Sequence, residues 1–250
     1  MTAFTCNTCG LAYPEIGLPH LCPNCGGVFR VNPLEFGEES AEQQSLAGIW
    51  RYKHSFGLLS DAKPVYLGEG GTPLVERMVA GKRVAFKLEN LNPTGSFKDR
   101  GTALLTSLMI SRGITEVVED SSGNAGASLA AYTSAWGIKS HIFVPESASG
   151  PKLQQMIMSG AQVVRIPGAR EVAHQAALAF GKEKGLPYAS HALLPIGIPG
   201  IATIAYELAE QLRELPGTII APVGHGSMLL GLLLGLRALC TDKPNPKLPV

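Results

Sequence analysis

Two sets of residues have types and spacing that could do chemistry. The first is Cys6-x2-Cys9, followed after twelve residues by Cys22-x2-Cys25. Each pair is trailed by glycine: Gly10, then Gly26-Gly27. Two such turns present four thiolates to one tetrahedral metal, and the glycines let backbone amides point at the sulfurs. The reading is a zinc ribbon holding Zn2+. Iron suits the same sulfur cage. Two disulfides are the plain structural alternative, and they sit poorly in a chain that otherwise reads as cytoplasmic. The second set surrounds Lys98, in Asn92-Pro93-Thr94-Gly95-Ser96-Phe97-Lys98-Asp99-Arg100-Gly101. A strand over Arg83 to Leu88 leads into a turn and then a helix from Ser96 to about Arg112, with Ser96 as N-cap and Asp99 in the first turn. The positive end of a helix disfavours a second cation. A lysine placed there is pushed toward the free amine, the form that attacks a carbonyl. A solvated lysine at a helix start is the bland alternative.

Two further loops join a strand to a helix. Asp120-Ser121-Ser122-Gly123-Asn124 follows Glu116 to Glu119 and precedes an alanine-rich helix. Outward-facing amides and the helix dipole make such a loop an anion site, suited to an amino-acid carboxylate; an ordinary capped helix start is the alternative. Gly224-His225-Gly226-Ser227 follows Thr218 to Val223 and could wrap a phosphate at the next helix start. No full dinucleotide fingerprint with an acidic partner accompanies it, which argues against NAD.

The elements that must position these loops alternate. Strands are expected at Arg83 to Leu88, Glu116 to Glu119, Ser140 to Val144, Gln162 to Ile166, Tyr188 to Ser190 and Thr218 to Val223. Helices are expected at Ser96 to Arg112, Asn124 to Trp136, Pro151 to Ser159, Ala169 to Lys184, Gly200 to Glu214 and Ser227 to Cys240. That order predicts an α/β fold of parallel strands with helical crossovers. Gly68 to Leu74 reads as a loop, and Glu35 to Trp50 as a stretch with some helix. His20 reads as a surface histidine and Cys240 as a core residue.

The chain has 250 residues, 45% hydrophobic and 16% charged, with a net charge of +1. That supports a sizeable core and gives no reason to expect nucleic acid or an anionic membrane as partner. No run approaches the length of a membrane span, Met228 to Leu236 being apolar but short, and the N-terminus does not read as a signal peptide. Three regions are expected: a zinc ribbon over 1–30, a linker over 31–60 and a catalytic domain over 61–250. Leu248-Pro249-Val250 reads as the start of a strand with nothing to complete it, so the expectation is a chain cut short.

The decapeptide around Lys98 resembles the lysine motif of fold-type II pyridoxal-phosphate enzymes, closest to threonine synthases. The loop Gly68-Glu69-Gly70-Gly71-Thr72-Pro73-Leu74, the stretch Ala148 to Lys152 and the pattern Gly200-x-x-Thr203-x-Ala205-x-Glu207 are similar to the same family. The resemblance covers roughly residues 60 to 250 and implies that fold, pyridoxal 5'-phosphate as cofactor, a small amino acid as substrate and a homo-oligomer. It implies that Lys98 binds the cofactor aldehyde and then works as the base on the α-carbon. It assigns Gly224, His225, Gly226 and Ser227 to the cofactor phosphate and Asn124 to the ring hydroxyl. It assigns Ser121, Ser122, Gly123 and Thr72 to the substrate. The implied chemistry is β- or γ-elimination or replacement, as in making threonine and phosphate from O-phosphohomoserine. A serine/threonine dehydratase is the alternative, and a non-catalytic zinc-ribbon interaction protein is a third reading. One departure bears on the substrate. The family usually binds its substrate's phosphate through an Asn-Ser pair and an Arg ahead of the Gly200 helix. Residues 191–197 here, His-Ala-Leu-Leu-Pro-Ile-Gly, contain none of them.

Overall fold

The computed structural model describes residues 3–36, 45–59 and 63–240. Among the described residues there are three sheets. Strands β1 (Phe4–Cys6) and β2 (Phe29–Val31) pair antiparallel. Strands β3 (Leu74–Val79) and β4 (Lys82–Lys87) form an antiparallel hairpin. Strands β5 (Glu116–Glu119), β6 (Lys139–Pro145) and β7 (Gln162–Ile166) form a parallel sheet in that order. Parallel neighbours require crossovers. Helices α2 (Asn124–Ala135) and α3 (Pro151–Met158) supply them, after α1 (Lys98–Ser111) and before α4 (Arg170–Lys184). Helices α5 (Ile198–Leu212) and α6 (Ser227–Leu239) close the described chain.

β5, β6 and β7 and all six helices fall where expected, within two residues at each end. Some expectations do not hold. Thr218–Val223 is not a strand. Ile220 is 93% exposed, and among the described residues no neighbour offers that segment a ladder of hydrogen bonds. Tyr188 to Ser190 shrinks to a single bridge, Tyr188 beside Val118, flanked by Val118 N donating to Pro187 O and Ala189 N to Val118 O. β3 begins at Leu74, which was expected to end a loop, and runs on over residues for which no element was expected; the tight Ala80-Gly81 turn pairs it with β4. The N-cap of α1 is Phe97, not Ser96, although Ser96 Oγ still accepts from Lys98 N at 3.3 Å. Half of Glu35 to Trp50 lies outside the described residues, and the part from Gly48 is a 3-10 helix, Gly48–Leu59. The expectation about Leu248 to Val250 also lies outside them.

The core is continuous from the small N-terminal sheet into the larger body. Phe4, Tyr13 and Phe29 share one buried cluster with Trp50, Leu104, Met109 and Tyr132. Each such fully buried side chain contributes about 1.5–3 kcal/mol. A second cluster joins α5 to α6 through Ile201, Ile204, Leu208, Leu232 and Leu236. Gly200 lets α5 approach α1: a Cβ there would collide with the backbone oxygen of Arg100. Among the described residues no helix is long and apolar enough to cross a membrane.

Candidate active site and metal centre

Lys98 is the first residue of α1 and half-buried. Its Nζ donates to Ser227 Oγ, the first residue of α6, at 2.9 Å. Burial holds the ammonium pKa below its ordinary value, and the charge of Glu119 partly opposes that shift. Two helix starts far apart in sequence thus meet at one amine. They line a cavity with Ala125 of α2, Thr102 of α1, and Ser190 and His191. The cavity therefore lies beside the carboxyl end of β5, where open α/β sheets bind ligands.

The turn before Lys98 is held from several sides. Asp99 Oδ2 accepts from Thr94 N at 2.7 Å, and Asp99 Oδ1 accepts from Thr94 Oγ1 and Ser128 Oγ, both at 2.6 Å. Lys152 Nζ, from the stretch singled out in the sequence, donates to Thr94 O at 2.7 Å. The Ser121 loop is compact: Gly123 N donates to Ser121 Oγ at 3.3 Å. Gly126 is required behind it, because a Cβ would strike Ser121 O. At α6, Gly226 has φ +94°, and the space beside Gly224 and Gly226 is open.

The expected site residues do not all face the cavity. Lys98 and Ser227 line it, and Ser121 to Asn124 and Gly224 to Gly226 adjoin it through Ala125 and Ser227. Thr72 lies elsewhere. Its hydroxyl donates to Glu89 at 2.7 Å and accepts from Arg100 Nη2 at 3.2 Å, and its carbonyl accepts from Lys87 and Gln211. It belongs to a buried ion network that sequence reasoning missed. Arg100 donates to Glu89, Glu207 and Thr203. Burial alone would raise the Glu207 pKa, yet Arg100 and Lys87 hold it down at about 2. Arg100 and Glu207 both stand in motifs read from the sequence; only their pairing was hidden. Sequence reasoning also missed the Glu119–His191 pair, Oε1 to Nδ1 at 2.6 Å.

The four cysteine sulfurs lie within 4.8 Å of one another. Cys6 and Cys25 are 3.5 Å apart, and Cys9 and Cys22 3.6 Å. Backbone amides close both turns, Gly10 N onto Cys6 O and Gly26 N onto Cys22 O. Zn–S bonds of ~2.3 Å in a tetrahedron put sulfurs roughly 3.8 Å apart, so this donor set fits one such ion. The cysteine-bearing segment rests on α1 through Arg112, whose guanidinium lies over Tyr13 and donates to Pro14 O and Gly17 O.

Residues 65–249 match the family model described as pyridoxal-phosphate dependent enzyme. The chain belongs to that family. Among relatives of this chain, the threonine synthase of Methanocaldococcus jannaschii is 33% identical over 245 residues, covering 93% of this chain and 60% of the relative. A threonine synthase from a Bacillus species is 35% identical, covering 71% of this chain and 52% of the relative. The chain thus spans between half and about 60% of the length of these curated relatives. Among solved structures, a threonine deaminase from T.th. superposes with a TM-score of 0.61 at 30% identity, covering 67% of this chain and 56% of that one. Maize serine racemase gives 0.63 at 26%, covering 71% and 54%. These likenesses bear out the fold-type II α/β reading.

Proposed function

We propose that the protein acts on a small amino acid with pyridoxal 5'-phosphate, by β- or γ-elimination or replacement of the threonine synthase type. The observation that carries this is the Lys98 amine: partly desolvated, at a helix start, 2.9 Å from Ser227 Oγ, and in a cavity shared with α2. The residues present fit the cofactor. A desolvated amine suits an aldehyde, and Gly224 to Gly226 leave open space at the N-terminus of α6 for a phosphate. The cofactor, when bound, supplies an electron sink for the substrate's α-carbon.

The protein's own residues do the rest. Lys98 holds the cofactor and then takes the α-proton, helped by burial that favours its neutral form. Gly224, His225, Gly226 and Ser227 bind the phosphate, His225 through its backbone amide. Ser121, Ser122 and Gly123 orient the substrate carboxylate, and Asn124 sits beside the ring hydroxyl. Thr72 supports the site through the Arg100 network rather than by touching substrate. Cys6, Cys9, Cys22 and Cys25 hold one structural Zn2+. The thiol set fits a reducing, cytoplasmic setting. We keep the division into ribbon, linker and catalytic domain, and a homo-oligomer, as part of the same proposal.

A serine/threonine dehydratase is the second reading. It is favoured by residues 191–197, which lack the Asn-Ser pair and Arg for a substrate phosphate, and by the likeness to a threonine deaminase. The test is direct. The purified protein should be yellow, and borohydride should fix the cofactor to the peptide containing Lys98. Labelling at another lysine, or a colourless protein indifferent to added pyridoxal phosphate, overturns the assignment. Released phosphate from O-phosphohomoserine, or keto acid from threonine or serine, separates the two readings.

A further inference from the structure

Glu119 ends β5 and is only 1% exposed. Its Oε1 meets His191 Nδ1 at 2.6 Å, and its Oε2 has no hydrogen-bond partner among the described residues. Burying a carboxylate is costly unless it is paired. The pairing is built by the backbone: residues 187–189 run parallel to β5 and deliver Ser190 and His191 beside its carboxyl end. Ser190 Oγ then accepts from Ala192 N and Leu193 N, which fixes the turn carrying His191. With Nδ1 donated to Glu119, the nitrogen left for the cavity is Nε2, and His191 lines that cavity together with Lys98. A carboxylate that orients an imidazole toward a reacting centre is the arrangement of an acid–base site.

We infer that His191, oriented by Glu119, is a second acid–base group of this site, and that its Nε2 carries the proton of the oxygen on the substrate's β-carbon. The inference rests on the amino-acid chemistry proposed above. In the elimination direction, Lys98 takes the α-proton and the released electron pair forms the bond between the α- and β-carbons. The β-carbon–oxygen bond breaks, its pair stays on oxygen, and the oxygen takes the Nε2 proton to leave as water. In the addition direction water bonds to the β-carbon and gives that proton back to Nε2. One residue therefore serves a dehydratase and the water-adding step of a synthase, in opposite directions. Burial raises the Glu119 pKa, His191 opposes that shift, and the carboxylate offsets the imidazolium charge as it forms. The other charged or titratable groups around the pair are Lys98, Asp120, Tyr188, His225 and, toward His225, Arg170.

L-threonine is the probe, because both reactions share its β-oxygen. In deuterium oxide, exchange of its α-hydrogen reports on Lys98. In oxygen-18 water, exchange or loss of its β-oxygen reports on His191. His191→Asn keeps an amide that can bond Glu119 but has no Nε2. It should leave α-exchange within about twofold and cut β-oxygen chemistry by about 10²–10⁴-fold. Glu119→Gln should slow the β-oxygen step while sparing α-exchange, because the imidazolium loses its counter-charge. Nitrogen-15 NMR of the cofactor-free protein gives a reading without turnover. His191 should carry its proton on Nδ1 in the neutral form, held there by Glu119. Undiminished β-oxygen chemistry in His191→Asn, a parallel loss of α-exchange, or α-exchange without any β-oxygen chemistry in the unaltered protein would each overturn the role. No α-exchange in the unaltered protein would instead defeat the underlying functional proposal.

Discussion

Arg100 and Glu207 pair through two bonds, Nη1 to Oε1 at 2.6 Å and Nη2 to Oε2 at 2.9 Å, with both side chains buried. Arg100 is two residues from Lys98, and Glu207 is on α5, so the pair ties the lysine-bearing helix to its neighbour. Replacing Glu207 by Ala leaves the guanidinium without its main partner in a dry interior. We expect a loss of about 3–5 kcal/mol in denaturant unfolding. A loss below ~1 kcal/mol would show that Glu89 alone satisfies Arg100.

The same pair sets an acid limit. The folded pKa of Glu207 is about 2, below the ordinary carboxylate value of ~4.3. A depressed carboxylate contributes stability that is present above the unfolded value and lost as pH falls through the folded one. Unfolding free energy should therefore drop between about pH 4.3 and pH 2, and Glu207→Gln should flatten that slope.

Glu69 should act with the opposite sign. Burial raises its pKa to about 7, against the Tyr132 hydroxyl and the Leu67 amide that favour its charged form. The folded state then holds a proton the unfolded chain has released, so stability falls as pH rises from about 4.3 to about 7. Glu69→Gln should remove that fall. An unchanged pH slope in the variant would count against it.

The cysteine site should be separable from the cofactor site. A chelator, or Cys22→Ser, should increase hydrogen exchange across residues 3–31 and free Arg112 from Pro14 and Gly17. The yellow colour should persist. Elemental analysis should find one zinc per chain, and iron or no metal would refute the zinc assignment.

Gly200→Ala tests the close approach of α5 to α1. The added methyl must push back the Arg100 carbonyl, at a cost of about 1–3 kcal/mol, and it should loosen cofactor binding by shifting Lys98. Equal cofactor affinity in the variant would show that the two helices part without moving the amine.

Much of this protein was legible from its sequence, because the decisive signals were local. The cysteine spacing needs only two tight turns to bring four thiolates together. Lys98, Ser121 to Asn124 and Gly224 to Ser227 each lie where a helix was expected to begin, where small residues leave backbone amides open to an anion. Hydrophobic runs such as Ile142 to Val144 mark buried parallel strands by composition alone. What only the tertiary structure decided is which distant groups meet. Whether Thr218 to Val223 becomes a strand depends on a neighbour to pair with, which no property of the segment supplies. Thr72 reads as a substrate residue within its motif, but its hydroxyl is taken by Glu89 and Arg100, which arrive from other elements. Glu119 and His191 are 72 residues apart. Their pairing exists because residues 187–189 lie alongside β5, a contact made by main-chain hydrogen bonds that do not depend on side-chain identity. Short-range spacing writes itself into sequence; the meeting of buried charges depends on the packing of whole elements.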